Sequence, residues 1–274
     1  MIQTRITFLL VMLFCLSCGA DDNKASPVQE KPERYGELMA KRALYFDLAQ
    51  QLQDNRHGWF TDDCDSLLWN SLGVAAGLKL DIYAARDTDG QWFRTPGQRC
   101  YEEGRSASTI SKDMLLGLAW ALFYNGDSGD FLNVLRYGRD RAFVMGEGPL
   151  SRTLMTPSLQ AVYAEAAVAM GGEKFEPEFH HPQIYNAGNR GYQVHLQVLN
   201  ILFRAKTVGG VSDEGLERLN DHAARNPTNA LFVFGHDLYS GGDLSRAVNL
   251  LLDSPAFPAG RLPSSEDRCR GWLW

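Results

Sequence analysis

Asp113 to Asn125 reads DMLLGLAWALFYN, and shortly after it Asp130 to Asp140 reads DFLNVLRYGRD. From Met114 onward the first run is apolar on every face, the pattern of a helix buried all round. The second places Phe131, Val134, Leu135 and Tyr137 on one side and its charges on the other, as a helix covering a core does. An inner helix followed by an outer one predicts a two-layer helical array.

The flanking sequence continues in the same manner. Thr156-Pro157 supplies an N-cap and a proline at the first helical position, ahead of Leu159, Val162, Tyr163, Ala166, Ala167 and Met170, and Gly171-Gly172 marks the stop. Apolar residues recur at helical spacing from Tyr35 to Leu52, predicting a first helix over about residues 33–54. Asp65 to Leu78 (DSLLWNSLGVAAGL) predicts a second, with Asp65 placed as its cap. Further helices are expected over Asn189 to Lys206, Ser212 to Arg225, Thr228 to Tyr239 and Leu244 to Asp253, the last capped by Asp243. The count is about nine helices with no convincing strand, so the expected class is all-α, a two-layer array of helical hairpins.

Leu122-Phe123-Tyr124-Asn125-Gly126-Asp127 is echoed by Leu238-Tyr239-Ser240-Gly241-Gly242-Asp243. Each time an aromatic-ended apolar helix stops at a glycine, and an aspartate precedes the next helix. Over about residues 110–253 these joints resemble the hairpin turns of the (α/α) toroid proteins, the six-hairpin glycosidase-like group, whose inner helices ring a cleft. About nine helices fall short of the twelve of that family's full toroid, so the resemblance implies an incomplete ring or a truncated chain. It also implies a protein that binds polysaccharide and has the means to cleave it. A non-catalytic envelope scaffold or partner-binding module stays open beside that reading.

Glycoside cleavage uses one carboxyl group to protonate the leaving oxygen and another to activate water or attack the sugar. Asp113 stands at the start of the inner helix, where free amides and the helix dipole favour a carboxylate. Asp63 lies in Asp62-Asp63-Cys64-Asp65 and Glu102 in Cys100-Tyr101-Glu102-Glu103, and a Cys64–Cys100 disulfide would bring these groups together. Asp113, Asp63 and Glu102 are therefore the candidate catalysts, with a capping or solvated role as the alternative for each aspartate. Between Lys79 and Ser111 the periodicity breaks up; Asp87-Thr88-Asp89-Gly90 reads as a tight turn that presents Trp92 and Arg94, candidate sugar contacts.

A second candidate surface is His180-His181-Pro182-Gln183-Ile184-Tyr185, running into a helix on which Gln193, Gln197, Asn200 and Arg204 form one polar stripe. His180, His181, Tyr185, Gln193 and Gln197 are candidate binders of sugar hydroxyls, unless the stripe is simply the helix's wet face. The paired histidines lack the i, i+4 spacing of a helical zinc site, so no metal is expected. No cofactor is expected either, because the chain has no Walker loop, no Gly-x-Gly-x-x-Gly and no Gly-x-Ser-x-Gly.

The N-terminal residues 1–17 carry one basic residue, Arg5, and the run ITFLLVMLFCLS from Ile6, which has the form of a secretory signal. Leu16-Ser17-Cys18-Gly19 resembles the lipobox of bacterial lipoproteins, although Cys15 stands where leucine is usual; cleavage after Ala20 is the alternative. The resemblance implies a lipidated Cys18, a tether over residues 18–34, and a membrane-anchored protein of the bacterial cell envelope, periplasmic or surface. The remaining residues 35–274 form the helical domain. Cys269 then has no partner within the chain, so either it pairs with another chain or the sequence stops short of the natural C-terminus.

Composition bounds these readings. The 274 residues are 45% hydrophobic and 22% charged, which excludes a disordered chain. With 27 Lys+Arg against 33 Asp+Glu, a net charge of -6 argues against nucleic acid as a partner.

Overall fold

The computed structural model describes residues 33–53, 56–59, 64–97, 108–126, 128–149, 151–175 and 192–254. The expected signal and lipidated Cys18, nearly all of the tether, Asp63, Cys100, Glu102, His180, His181, Tyr185 and Cys269 lie outside them. The described residues are predominantly helical, with nine α-helices and one two-stranded sheet, so the fold is all-α. The chain divides into two compact units, a central one of residues 50–185 and a terminal one of residues 1–49 and 186–274.

The central unit is built on α2 (Ser66–Ala75), α3 (Lys112–Asn125), α4 (Ser128–Arg139) and α5 (Pro157–Ala169), with a 3-10 turn at Ile82–Ala85. Met114 through Leu122 are buried without a break, as an all-apolar inner helix requires. Helix α3 packs on α2 at Gly117, where a Cβ would stand 2.7 Å from Leu68 Cδ1 and 3.1 Å from the Leu68 backbone. A glycine is needed there for close approach, not for its dihedral freedom. Helix α4 is amphipathic as expected, burying Phe131, Val134, Leu135 and Tyr137. The Phe131 ring meets Tyr163 of α5 edge to face at 5.4 Å, and the Tyr163 hydroxyl donates to Leu115 O at 2.6 Å. Each such large apolar body contributes roughly 1.5–3 kcal/mol by leaving water.

One expectation fails here. The segment after α4 holds an antiparallel pair, β1 (Val144–Glu147) and β2 (Arg152–Leu154), where no strand was expected. Ala142 and Phe143 turn the chain into β1 through left-handed backbone (φ 50° and 58°), which non-glycine residues adopt only under strain. Packing compensates, since Phe143 is buried and its N–H donates to Gly138 O.

In the terminal unit, α1 (Tyr35–Gln51) precedes α6 (Tyr192–Val208), α7 (Asp213–Arg225), α8 (Ala230–Ser240) and α9 (Ser245–Leu252). Helix α8 is the apolar inner element and contacts α6, α7 and α9. The N-terminal helix is tied to the last one. Lys41 donates to Leu251 O at 3.1 Å and Leu252 O at 3.0 Å, capping the open end of α9, while Arg34 pairs with Asp253 and Glu37, each at 2.8 Å.

The two glycine stops are as read. Gly126 (φ 80°) ends α3 and Gly241 (φ 74°) ends α8, both in the left-handed region. Asp243 Oδ1 accepts from Ser245 N–H at 2.8 Å as expected; Asp127 lies outside the described residues. Thr156 caps as read, accepting from Leu159 N–H, and Ser212, read only as a helix start, also caps, accepting from Gly215 N–H.

Candidate functional site

In the central unit the irregular segment folds back on itself before it reaches Arg94. Asp87 Oδ1 accepts from the N–H groups of Asp89 (3.0 Å) and Gln91 (2.8 Å), and Gly90 takes φ +90°, so 87–90 is the tight turn expected. Phe93 N–H donates to Ala85 O at 2.8 Å, closing the loop.

Arg94 then joins the starts of two helices. Its backbone carbonyl accepts from Leu67 in the first turn of α2 at 2.9 Å, and its N–H donates to Thr109 O, just before α3, at 3.0 Å. Its guanidinium donates from Nε to Ser108 O at 2.7 Å and from NH1 to Cys64 O at 3.1 Å, and lies 3.5 Å from Asp65 Oδ1. Burial holds this guanidinium below its ordinary range, and the charges of Asp65 and Asp113 oppose that shift. The structure thus brings together Arg94, Cys64, Asp65 and Asp113, four positions that the sequence singled out separately.

Two details of that reading are corrected. Asp65 stands at the N-cap position of α2, but its side chain makes no capping bond and turns to Arg94 instead. Trp92 is not a sugar-stacking surface: the residue is 3% exposed, with its ring against Tyr83 (5.8 Å) and the Arg86 guanidinium (5.9 Å). A ring with no free face cannot stack on a ligand. Asp113 is partly exposed in the first turn of α3. Glu147 is an exposed residue of β1 paired with Arg152 at 3.0 Å.

A second polar group nearby carries no signature in the sequence. The Tyr83 hydroxyl donates to Asp130, which also lies 3.8 Å from Arg86 and is nearly buried. Asp130 could be read only as a first-turn residue of α4, because its partners come from 44 or more positions upstream, as the Arg86 pairing illustrates.

In the terminal unit the middle of the α6 polar stripe is covered, while Gln193 and Arg204 at its ends are partly exposed. Gln197 and Asn200 are both 0% exposed. Gln197 Oε1 meets His222 Nε2 of α7 at 2.9 Å, and both amide atoms of Asn200 are buried with no hydrogen-bond partner among the described residues. Gln193 is partly exposed at the start of the helix. Beside the stripe, Asn229 Nδ2 lies 3.0 Å from His195 Nε2. His222 and Asn229 escaped the sequence reading because neither stands in a recognisable motif.

Among the described residues no three His, Cys, Asp or Glu side chains are grouped to hold a metal ion, and no helix is long and apolar enough to cross a membrane. No protein-family model, curated protein sequence or solved structure matches this chain.

Proposed function

We propose that this chain is an exported, lipid-anchored envelope protein of the (α/α) toroid kind that binds polysaccharide at the Arg94 junction and cleaves it there. The observation that carries the reading is the meeting of the α2 and α3 starts on one guanidinium, with Asp65 and Asp113 acting on it. The adjoining segments carry Asp63 and Glu102, and a Cys64–Cys100 bridge would draw them toward the same place. Asp113 is one member of the required carboxyl pair, and Asp63 or Glu102 is the other. Support for the toroid comes from the glycine-ended inner helices α3 and α8, each followed by an amphipathic helix.

The test is release of reducing ends from a panel of envelope and extracellular glycans by the full chain. Turnover is expected, with Asp113→Asn lowering it at least about a hundredfold while glycan retention on affinity gels persists. Full activity in Asp113→Asn would remove that residue from the chemistry, and absence of turnover on every glycan would remove cleavage.

A specific observation favours a second reading, that of a non-catalytic envelope scaffold. The burial of Trp92, Gln197 and Asn200 takes away side chains that would grip sugars. This reading predicts that no glycan is retained and that carboxylate substitutions leave the cellular phenotype unchanged.

A further inference from the structure

Asn229 has only one way to face His195. Its Oδ1 accepts from the N–H groups of Leu231 (3.1 Å) and Phe232 (3.3 Å), capping α8, so an exchanged amide would set NH2 against two backbone donors. The atom 3.0 Å from His195 Nε2 is therefore Nδ2, a donor. Nε2 then accepts, which assigns the proton of the neutral ring to Nδ1, a buried atom with no acceptor within hydrogen-bond reach among the described residues. Both residues are nearly buried, His195 at 6% and Asn229 at 5% exposure, and the imidazole lies 4.7 Å from the Phe232 ring.

We infer that the joint between α6 and α8 is a proton-sensitive latch, closed while His195 is neutral and opened when His195 takes a proton from solvent at Nε2. That proton replaces an acceptor by a donor, breaks the bond from Asn229, and leaves two N–H groups facing each other in a nearly dry site. Because the same asparagine caps α8, the disturbance passes to the first turn of the inner helix.

Among the described residues, α7, α8 and α9 bring charges near this joint, and on α9 Arg246 donates to Pro227 O, two residues before Asn229, at 3.1 Å. Helix α7 brings His222, 5.8 Å from Phe232 on ring centroids, with Asp221, Arg218 and Arg225 around it. On α8, His236 and Asp237 pair with each other at 2.8 Å. His222 is itself held below the ordinary histidine range by burial, with Asp221 opposing. It offers Gln197 a contact that survives protonation, since Gln197 presents its carbonyl oxygen. The acid-sensitive contact is the one at His195.

The experiment is nitrogen-15 NMR of the full chain with amide hydrogen exchange across pH 4 to 8. At neutral pH His195 is expected as the Nδ1–H tautomer, and the Asn229 bond should be lost as the ring takes its second proton. The protection of the Leu231 and Phe232 amides, taken against the intrinsic exchange rate at each pH, should fall about tenfold or more across that titration. An Nε2–H tautomer at neutral pH overturns the proposal, as does exchange that ignores the titration. Asn229→Asp supplies a carboxylate that caps α8 and also accepts from protonated His195. It should raise the His195 midpoint above that of the wild type and abolish the acid-driven exchange. An unmoved midpoint in a folded variant also overturns the latch, and if that variant fails to fold, the wild-type tautomer and exchange decide.

Discussion

The two units bury polar groups in opposite ways. In the central unit, side chains reach out to backbone carbonyls of irregular segments: Arg94 to Cys64 O and Ser108 O, and the hydroxyls of Ser108 and Thr153 to Ile110 O. In the terminal unit they pair between helices, Gln197 with His222 and His195 with Asn229, or close a helix end, as Lys41 does on α9. Loops carry backbone groups without ladder partners, so a unit rich in them needs side-chain donors to satisfy those groups. A unit made of helices needs few such donors, and its polar side chains are free to specify which helices meet.

The largest expected effect follows from removing the principal donor of the central unit. Arg94→Met leaves Cys64 O and Ser108 O without their partner and Asp65 without its cation. Each buried group left unmade costs roughly 1–3 kcal/mol, so the central unit should lose about 3 kcal/mol. Hydrogen exchange should show lost protection in α2 and α3, with α6 and α8 unchanged. An equal loss in both units would erase the distinction between them.

A smaller effect, confined to the terminal unit, comes from Lys41. Burial pushes its ammonium down to about 8 from the ordinary 10.5; Asp253 opposes the shift and Arg34 adds to it. Between those values the unfolded chain keeps a proton that the folded chain has released, so stability rises with pH over that window. The rise should be about 1–2 kcal/mol, the effect of burial on this ammonium being partly screened by solvent at the chain's surface. The neutral amine still has two hydrogens for the Leu251 and Leu252 carbonyls, so the α9 cap persists. Denaturant titrations at pH 8, 9 and 10 should show the rise in the wild type and its absence in Lys41→Met; equal slopes would mean that the lysine is already fully solvated.

What the sequence made legible was local. Thr156-Pro157, Ser212, Gly126 and Gly241 each act within one turn of chain, and each stands where it was read. What stayed hidden depends on residues distant in sequence. Gly146 looks like a loop glycine, yet it sits in β1 because a Cβ there would meet Thr109 Oγ1 at 2.7 Å and Ile110 Cγ2 at 2.8 Å. Asp65 has the composition of a cap but is claimed by Arg94, and Trp92 follows a surface turn yet its ring is covered by Tyr83 and Arg86. Of the candidate site, the residue types were readable and the convergence of Cys64, Asp65, Arg94 and Asp113 was not. That convergence is made by two backbone bonds at Arg94 that no periodicity encodes.

The smallest effect serves as the control for the whole contrast. Thr156 caps α5 in the central unit and Ser212 caps α7 in the terminal unit, each through its own hydroxyl onto an amide three residues ahead. A cap satisfies one free amide at a helix start and depends little on what surrounds the helix, so Thr156→Ala and Ser212→Ala should each cost about 1 kcal/mol. The Thr156 bond is the longer, 3.4 Å against 3.1 Å, and Thr156 also contacts Ser158 Oγ at 3.0 Å, a hydroxyl that can take over part of the task. The threonine variant should therefore lose slightly less, as measured by denaturant midpoints at unchanged slope. Equal or near-equal costs would place the difference between the units in their long-range polar contacts. A Thr156→Ala loss several times that of Ser212→Ala would instead mean that the central unit is fragile everywhere, and that Arg94 is one symptom of this rather than its cause.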